Sequence, residues 1–126
     1  MAQVTRLAPE EPARLDTETL VRFCAARDPQ GAEEAVCRAM EALARGLAEA
    51  ERAWSRQDWT ALDQAAARVA VHARATGMTG LLRSAGDIRA CLAAGDAVAL
   101  AATLARLLRV GERSLYALWN HDAATV

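Results

Sequence analysis

An all-α fold, an antiparallel up-down-up-down four-helix bundle preceded by a short helix, follows from three observations on the sequence. Apolar residues recur at alternating steps of three and four along most of the chain, the period of one helix face. Acidic residues suited to cap helix starts and glycines suited to end them divide the chain into five segments, joined by connections of two to four residues. Connections that short force consecutive helices antiparallel. Aromatics make up only 4% of the 126 residues, with 7 Gly and 3 Pro, too few strand formers and turns for a β-sandwich.

Each element has its own local cause. Residues 1–15 hold Pro9 and Pro12 among clustered charges without sustained periodicity, and are expected to form a flexible arm. Asp16 is placed to cap a short helix to about Arg27, with Leu20, Phe23 and Cys24 as one apolar stripe. Asp28 followed by Pro29 is a cap with proline at the first helical position, where its missing N–H costs nothing. The long second helix this opens runs to about Trp54, and Val36, Met40, Leu43, Leu47, Ala50 and Trp54 are read as its buried seam. Asp58 caps a third helix of roughly 17 residues that turns Leu62, Ala66, Val69 and Ala73 inward and stops at Gly77. Trp54 and Trp59 flank the Ser55–Asp58 turn and are read as a hydrophobic staple across the junction in preference to a stacking platform for a ligand. A fourth helix, about Met78 to Ala93, carries Leu81, Ala85, Ile88 and Leu92 and closes at Gly95. From Asp96 a fifth runs to about Trp119, presenting Leu100, Leu104, Leu107 or Leu108, Gly111, Leu115 and Leu118. The bundle thus occupies residues 16–120, and 121–126, with His121 and Asp122, form a solvated tail.

Composition excludes several functional classes. Fifteen basic residues, all arginine, against 16 acidic ones leave a formal charge of −1, so there is no bulk attraction to nucleic acid or to an anionic membrane. The first residues lack the apolar core of a signal peptide and no apolar run is long enough for a membrane span, so a cytoplasmic location is expected. Cys24, Cys37 and Cys91 are odd in number and fall in no CxxC or Cys/His ligand spacing; they read as reduced core thiols, with no metal site implied. The chain holds only two histidines, His72 and His121, and one tyrosine, Tyr116, with no GxSxG, HExxH, GxGxxG or P-loop. A catalytic centre and a bound cofactor are therefore not expected.

Four strings, in order, carry a family resemblance over about residues 15–118: LDTETL at Leu15–Leu20, SRQDWTAL at Ser55–Leu62, GMTGLL at Gly77–Leu82 and IRACLAAGD at Ile88–Asp96. Together they resemble the opening helix, third-helix start, turn and helix end of the histidine phosphotransfer (HPt) domains of bacterial phosphorelays. The resemblance implies a phosphoacceptor histidine nine residues after the opening Asp58 and ten before the turn Gly77, and both counts fall on Ala67. The position of the family's lysine is Ala70 and that of its glycine is Val71. A methyl group offers no nucleophile to a receiver's phospho-aspartate, alanine cannot screen the transferred charge, and valine fills space that glycine leaves open.

His72 is the nearest substitute. Five residues at about 100° each turn it roughly 140° from the Ala67 direction, to the edge of the core beside Val69, Ala73 and Thr76. It is expected to be a hydrogen-bonded structural histidine, with phosphoacceptance as the alternative. The acceptor face itself collects Asp63, Ala67, Ala70, Val71 and Arg74. Small apolar residues ringed by charge suit the close approach of a partner, and equally suit an alanine-rich sequence filling helix surfaces with its best helix former. Arg68 and Arg74 are candidate contacts to a partner's phosphate or carboxylate. The expected function is an HPt-like two-component module that binds a receiver domain or a histidine kinase without accepting phosphate. The alternatives are an active phosphorelay intermediate using His72, and a helical bundle serving oligomerisation or a regulatory contact.

Overall fold

A computed structural model describes the backbone of residues 14–124 and the side chains of residues 14–120. Among these residues the chain is a bundle of five helices: α1 (Thr17–Ala25), α2 (Pro29–Ser55), α3 (Trp59–Thr76), α4 (Thr79–Ala94) and α5 (Ala97–Ala124). The helix starts lie where the capping chemistry places them. The Asp16 carboxylate accepts from the Thr19 amide, the Asp28 carboxylate from Gly31, the Asp58 carboxylate from Ala61 and the Asp96 carboxylate from Ala99. The Thr19 hydroxyl adds a 2.7 Å bond to Asp16, and these bonds hold that carboxyl below its usual pKa.

Three helices end in the same way. The amides of Asp58, Met78 and Asp96 reach back to the carbonyls of Ala53, Ala73 and Cys91, each across a left-handed residue. Two of those residues are Gly77 (φ 80°) and Gly95 (φ 68°), as the sequence leads one to expect. The third is Gln57 (φ 57°), where the chain accepts a side chain in a conformation glycine takes at no steric cost.

The core forms where helix faces meet: α2 packs on α3, α3 on α4, α4 on α5, and α5 returns to α2, while α1 rests on α2 and α3. Leu43, Leu62, Val69, Leu81, Ile88 and Leu107 are wholly buried in it. Two helix crossings are close because they carry glycine. Gly46 of α2 lies against Val69 of α3, and Gly111 of α5 lies against Leu47 of α2, where a Cβ would come within 2.5 Å of a Leu47 methyl.

Several expectations are corrected. Trp54 is not part of the buried seam: Ala53 takes the inward place and Trp54 is 38% exposed, because it stands at a cavity that the end of α2 lines together with Gly95 and Asp96 of the α4–α5 turn. Trp59 is 45% exposed, and the two tryptophans line a cavity of about 450 Å³ with Cys91, Leu92 and Leu100. In α5 it is Leu107 that is buried, with Leu108 at the margin, and Val110 and Ser114, absent from the expected stripe, are buried as well. All three cysteines are half-buried, at the margin and not in the core proper. The tail expected from residue 121 is helical in backbone as far as Ala124, since neither glycine nor proline interrupts it; the remaining residues, 125 and 126, lie outside the described residues.

Most of the expected flexible arm, residues 1–13, lies outside the described residues. Its last two members, however, are docked. Leu15 pairs with Met78 in an antiparallel bridge, the Asp16 amide donates to Gly77 O at 2.7 Å, and the Arg14 carbonyl accepts from both the amide and the hydroxyl of Thr79. That last contact supplies the start of α4 with the acceptor its own residue Met78 cannot offer.

Candidate partner-binding face

The face is a consequence of how α3 is wrapped. Leu62, Ala65, Ala66, Val69, Ala73 and Thr76 are buried, and α3 touches α4 on one flank and α2 on the other. At about 100° per residue, Ala67 and Val71 then point away from the core, Asp63, Ala70 and Arg74 lean toward α4, and Arg68 and His72 lean toward α2.

The contacts agree with this projection. Asp63 receives the Arg89 guanidinium of α4 at 2.9 and 3.4 Å, a two-pronged pair that holds Arg89 still more firmly protonated. Ala70 packs on the core, Ala67 is half-buried, Val71 is 60% exposed and Arg74 is exposed. The structure thus brings Ala67, Ala70, Val71 and Arg74 onto one outer strip, bounded by the Asp63–Arg89 pair. Arg68, grouped with them in the sequence reading, stands apart: it bridges to Glu49 of α2 at 3.0 Å on the opposite flank. Each of these ion pairs is largely solvated, so they orient side chains more than they stabilise the fold.

His72 sits at the edge of the core, as its helical position requires, but its environment is not the expected one. Its carbonyl accepts from the Thr76 hydroxyl at 2.7 Å, while no described residue hydrogen-bonds its ring. The half-buried imidazole lines a groove of about 490 Å³ between α1, α2 and α3, together with Ala39 and Ala42, the arginines Arg27, Arg38 and Arg45, and one carboxylate, Glu41. Arg27 is fixed there, its guanidinium 4.4 Å over the Phe23 ring and donating to the Phe23 carbonyl. These arginines were not singled out in the sequence. The available signal was Arg38 and Arg45 two turns apart on one helix face, but α1 and α3 must be placed before the two flank a histidine.

Among the described residues no three His, Cys, Asp or Glu side chains gather in a way that could hold a metal ion, and no helix is long and apolar enough to cross a membrane. Comparison with family models, with curated proteins and with solved structures finds no match to the chain.

Proposed function

We propose that the chain is an HPt-like two-component signalling module that binds a receiver domain or a histidine kinase through the outer strip of α3 without itself carrying phosphate. In this reading the four long helices run up-down-up-down and antiparallel, with α1 across one end. The ring of helix neighbours supports that arrangement, as do connections of only residues 56–58, 77–78 and 95–96. The observation that carries the proposal is the chemistry at the acceptor position. Where the resemblance calls for an imidazole, the outer face of α3 presents the methyl of Ala67, next to an exposed Val71. Attack on an acyl phosphate needs a lone pair, and neither side chain has one. Small apolar groups on a rigid helix, with Arg74 at the rim, are instead suited to close, desolvated contact.

Val71→Glu tests the face directly. The side chain is exposed, so the fold is expected to survive, while a carboxylate placed in the apolar centre of the contact is expected to weaken receiver or kinase binding at least tenfold, about 1.4 kcal/mol or more. Calorimetric titration against a panel of receivers and kinase domains reads this, and unchanged affinity for a receiver that binds the wild type contradicts it.

A second reading is favoured by one observation, the arginine-lined groove around His72. An imidazole nitrogen there would attack the phosphorus of a receiver's aspartyl phosphate, the aspartate carboxylate would leave, and Arg38 and Arg45 would screen the phosphoryl charge on the new N–P bond. Acid-labile phosphate that appears on the wild type and disappears in His72→Ala supports this reading; label that persists in the variant removes it.

A further inference from the structure

We propose that the outward face of α5 is a homodimer interface, closed by a second copy of this chain lying antiparallel across it. The inference is separate from receiver binding, which is read on α3.

The inner face of α5 is fully used: Leu100, Leu104, Leu107, Val110 and Leu118 are buried and Gly111 backs onto Leu47. Among the described residues the opposite face has no neighbour: α5 packs only on α4 and α2. Val98 is 85% exposed, Tyr116 69% and Trp119 55%, so three of the seven exposed large hydrophobics of the described residues lie on this one helix. They also share a stripe. Val98 and Tyr116 are five full turns apart and therefore point the same way, Trp119 lies one turn further, and exposed alanines at 101, 102 and 105 fill the interval. The stripe is about 33 Å long at 1.5 Å per residue.

Its pattern is complementary to itself. Two exposed charges, Arg109 and Glu112, sit at the middle, and neither forms an ion pair with another described residue. Ala105 lies as far before their midpoint as Tyr116 lies after it, and Ala102 as far before as Trp119 after. When a second helix is laid antiparallel across the first on a two-fold axis at that midpoint, Arg109 of each copy faces the other copy's Glu112, and the ion pair forms twice. The same operation seats each bulky aromatic over a small alanine of the other copy, large into small at both ends. A parallel pairing in register would oppose Arg109 to Arg109, Glu112 to Glu112 and aromatic to aromatic, so the charges select the antiparallel arrangement. An unrelated partner would require none of this symmetry about a single point. A second copy does.

Sedimentation equilibrium on the full chain tests the proposal, with helicity by circular dichroism confirming that each variant folds. The wild type is expected at twice its 13.4 kDa mass in the micromolar range. Arg109→Glu and Glu112→Arg, each placing like charges opposite one another, are expected to be monomeric where the wild type is dimeric. Mixing the two variants, or combining both changes in one chain, restores opposite charges at both positions and is expected to restore the dimer. A monomeric wild type, dimerisation unaffected by either single reversal, or loss that neither the mixture nor the double variant repairs overturns the interface.

Discussion

Leu107→Ala is expected to destabilise the protein by about 2–5 kcal/mol, and Leu108→Ala by roughly half as much. Leu107 is wholly buried where α5 faces the rest of the bundle, whereas Leu108 is only partly covered at its margin. Truncating the first removes its contacts and leaves a cavity that surrounding helices close only in part; truncating the second opens a site that water reaches. Against a total stability of about 5–15 kcal/mol for an ordinary domain, the first loss is large and shows plainly in the midpoint of urea unfolding. The comparison also tests the rotation of α5 about its axis. If Leu108→Ala proved the costlier change, the helix would be turned by one residue, and the stripe assigned to its outward face would turn with it.

Gly77→Ala is the second substitution with a large expected effect, and Gly95→Ala is its control. Both glycines end helices at positive φ, and for an L side chain that alone costs about 1–2 kcal/mol. They differ in what surrounds them. A Cβ at Gly95 meets nothing within 4 Å, whereas one at Gly77 comes to 2.5 Å from the Asp16 carbonyl oxygen and 3.2 Å from the Thr19 Cβ. Asp16 cannot give way without lengthening its own amide bond to Gly77 O and disturbing the cap of α1. Gly77→Ala is therefore expected to cost about 3 kcal/mol or more, and Gly95→Ala about 1 kcal/mol. Hydrogen exchange gives the more specific readout: amides of α1 are expected to lose protection in Gly77→Ala and to keep it in Gly95→Ala. Equal losses in the two variants would mean that the collision with Asp16 does not matter.

Features set by local chemistry are legible in the sequence. The starts of α1, α2, α3 and α5 could be read because an Asp cap acts through its own carboxylate on an amide three residues on, and Gly77 and Gly95 because a left-handed helix end is again local chemistry. The inward set Leu62, Ala66, Val69 and Ala73 followed from period alone. Alanine was the main obstacle. Ala35, Ala39 and Ala65 are buried, but alanine also occupies exposed positions 101, 102 and 105, so it gives no hydropathy contrast from which to assign a face. In α5 leucines stand on adjacent positions, and only the packing of α5 on α2 and α4 decides between Leu107 and Leu108. Trp54 continues the seam in sequence, but it stands at the cavity that the end of α2 and the α4–α5 turn line together.

For the candidate site, the outward direction of Ala67 and Val71 and the turn of His72 away from them were accessible from the helical repeat. What surrounds those residues was not. Arg68 was grouped with the outer strip because its partner Glu49 lies 19 residues away on another helix. The arginines around His72 come from α2 and from the turn between α1 and α2, and their convergence is a property of helix placement that no spacing within α3 records.

Whether the outer strip of α3 binds without reacting is tested most directly by one phosphotransfer assay. Receiver domains that bind the chain are loaded with labelled phosphoryl groups, mixed with the wild-type protein, and the chain is assayed for acid-labile label. The account predicts a complex in which the label stays on the receiver or is released as inorganic phosphate, with none on the chain; stoichiometric acid-labile phosphate on the chain would contradict it.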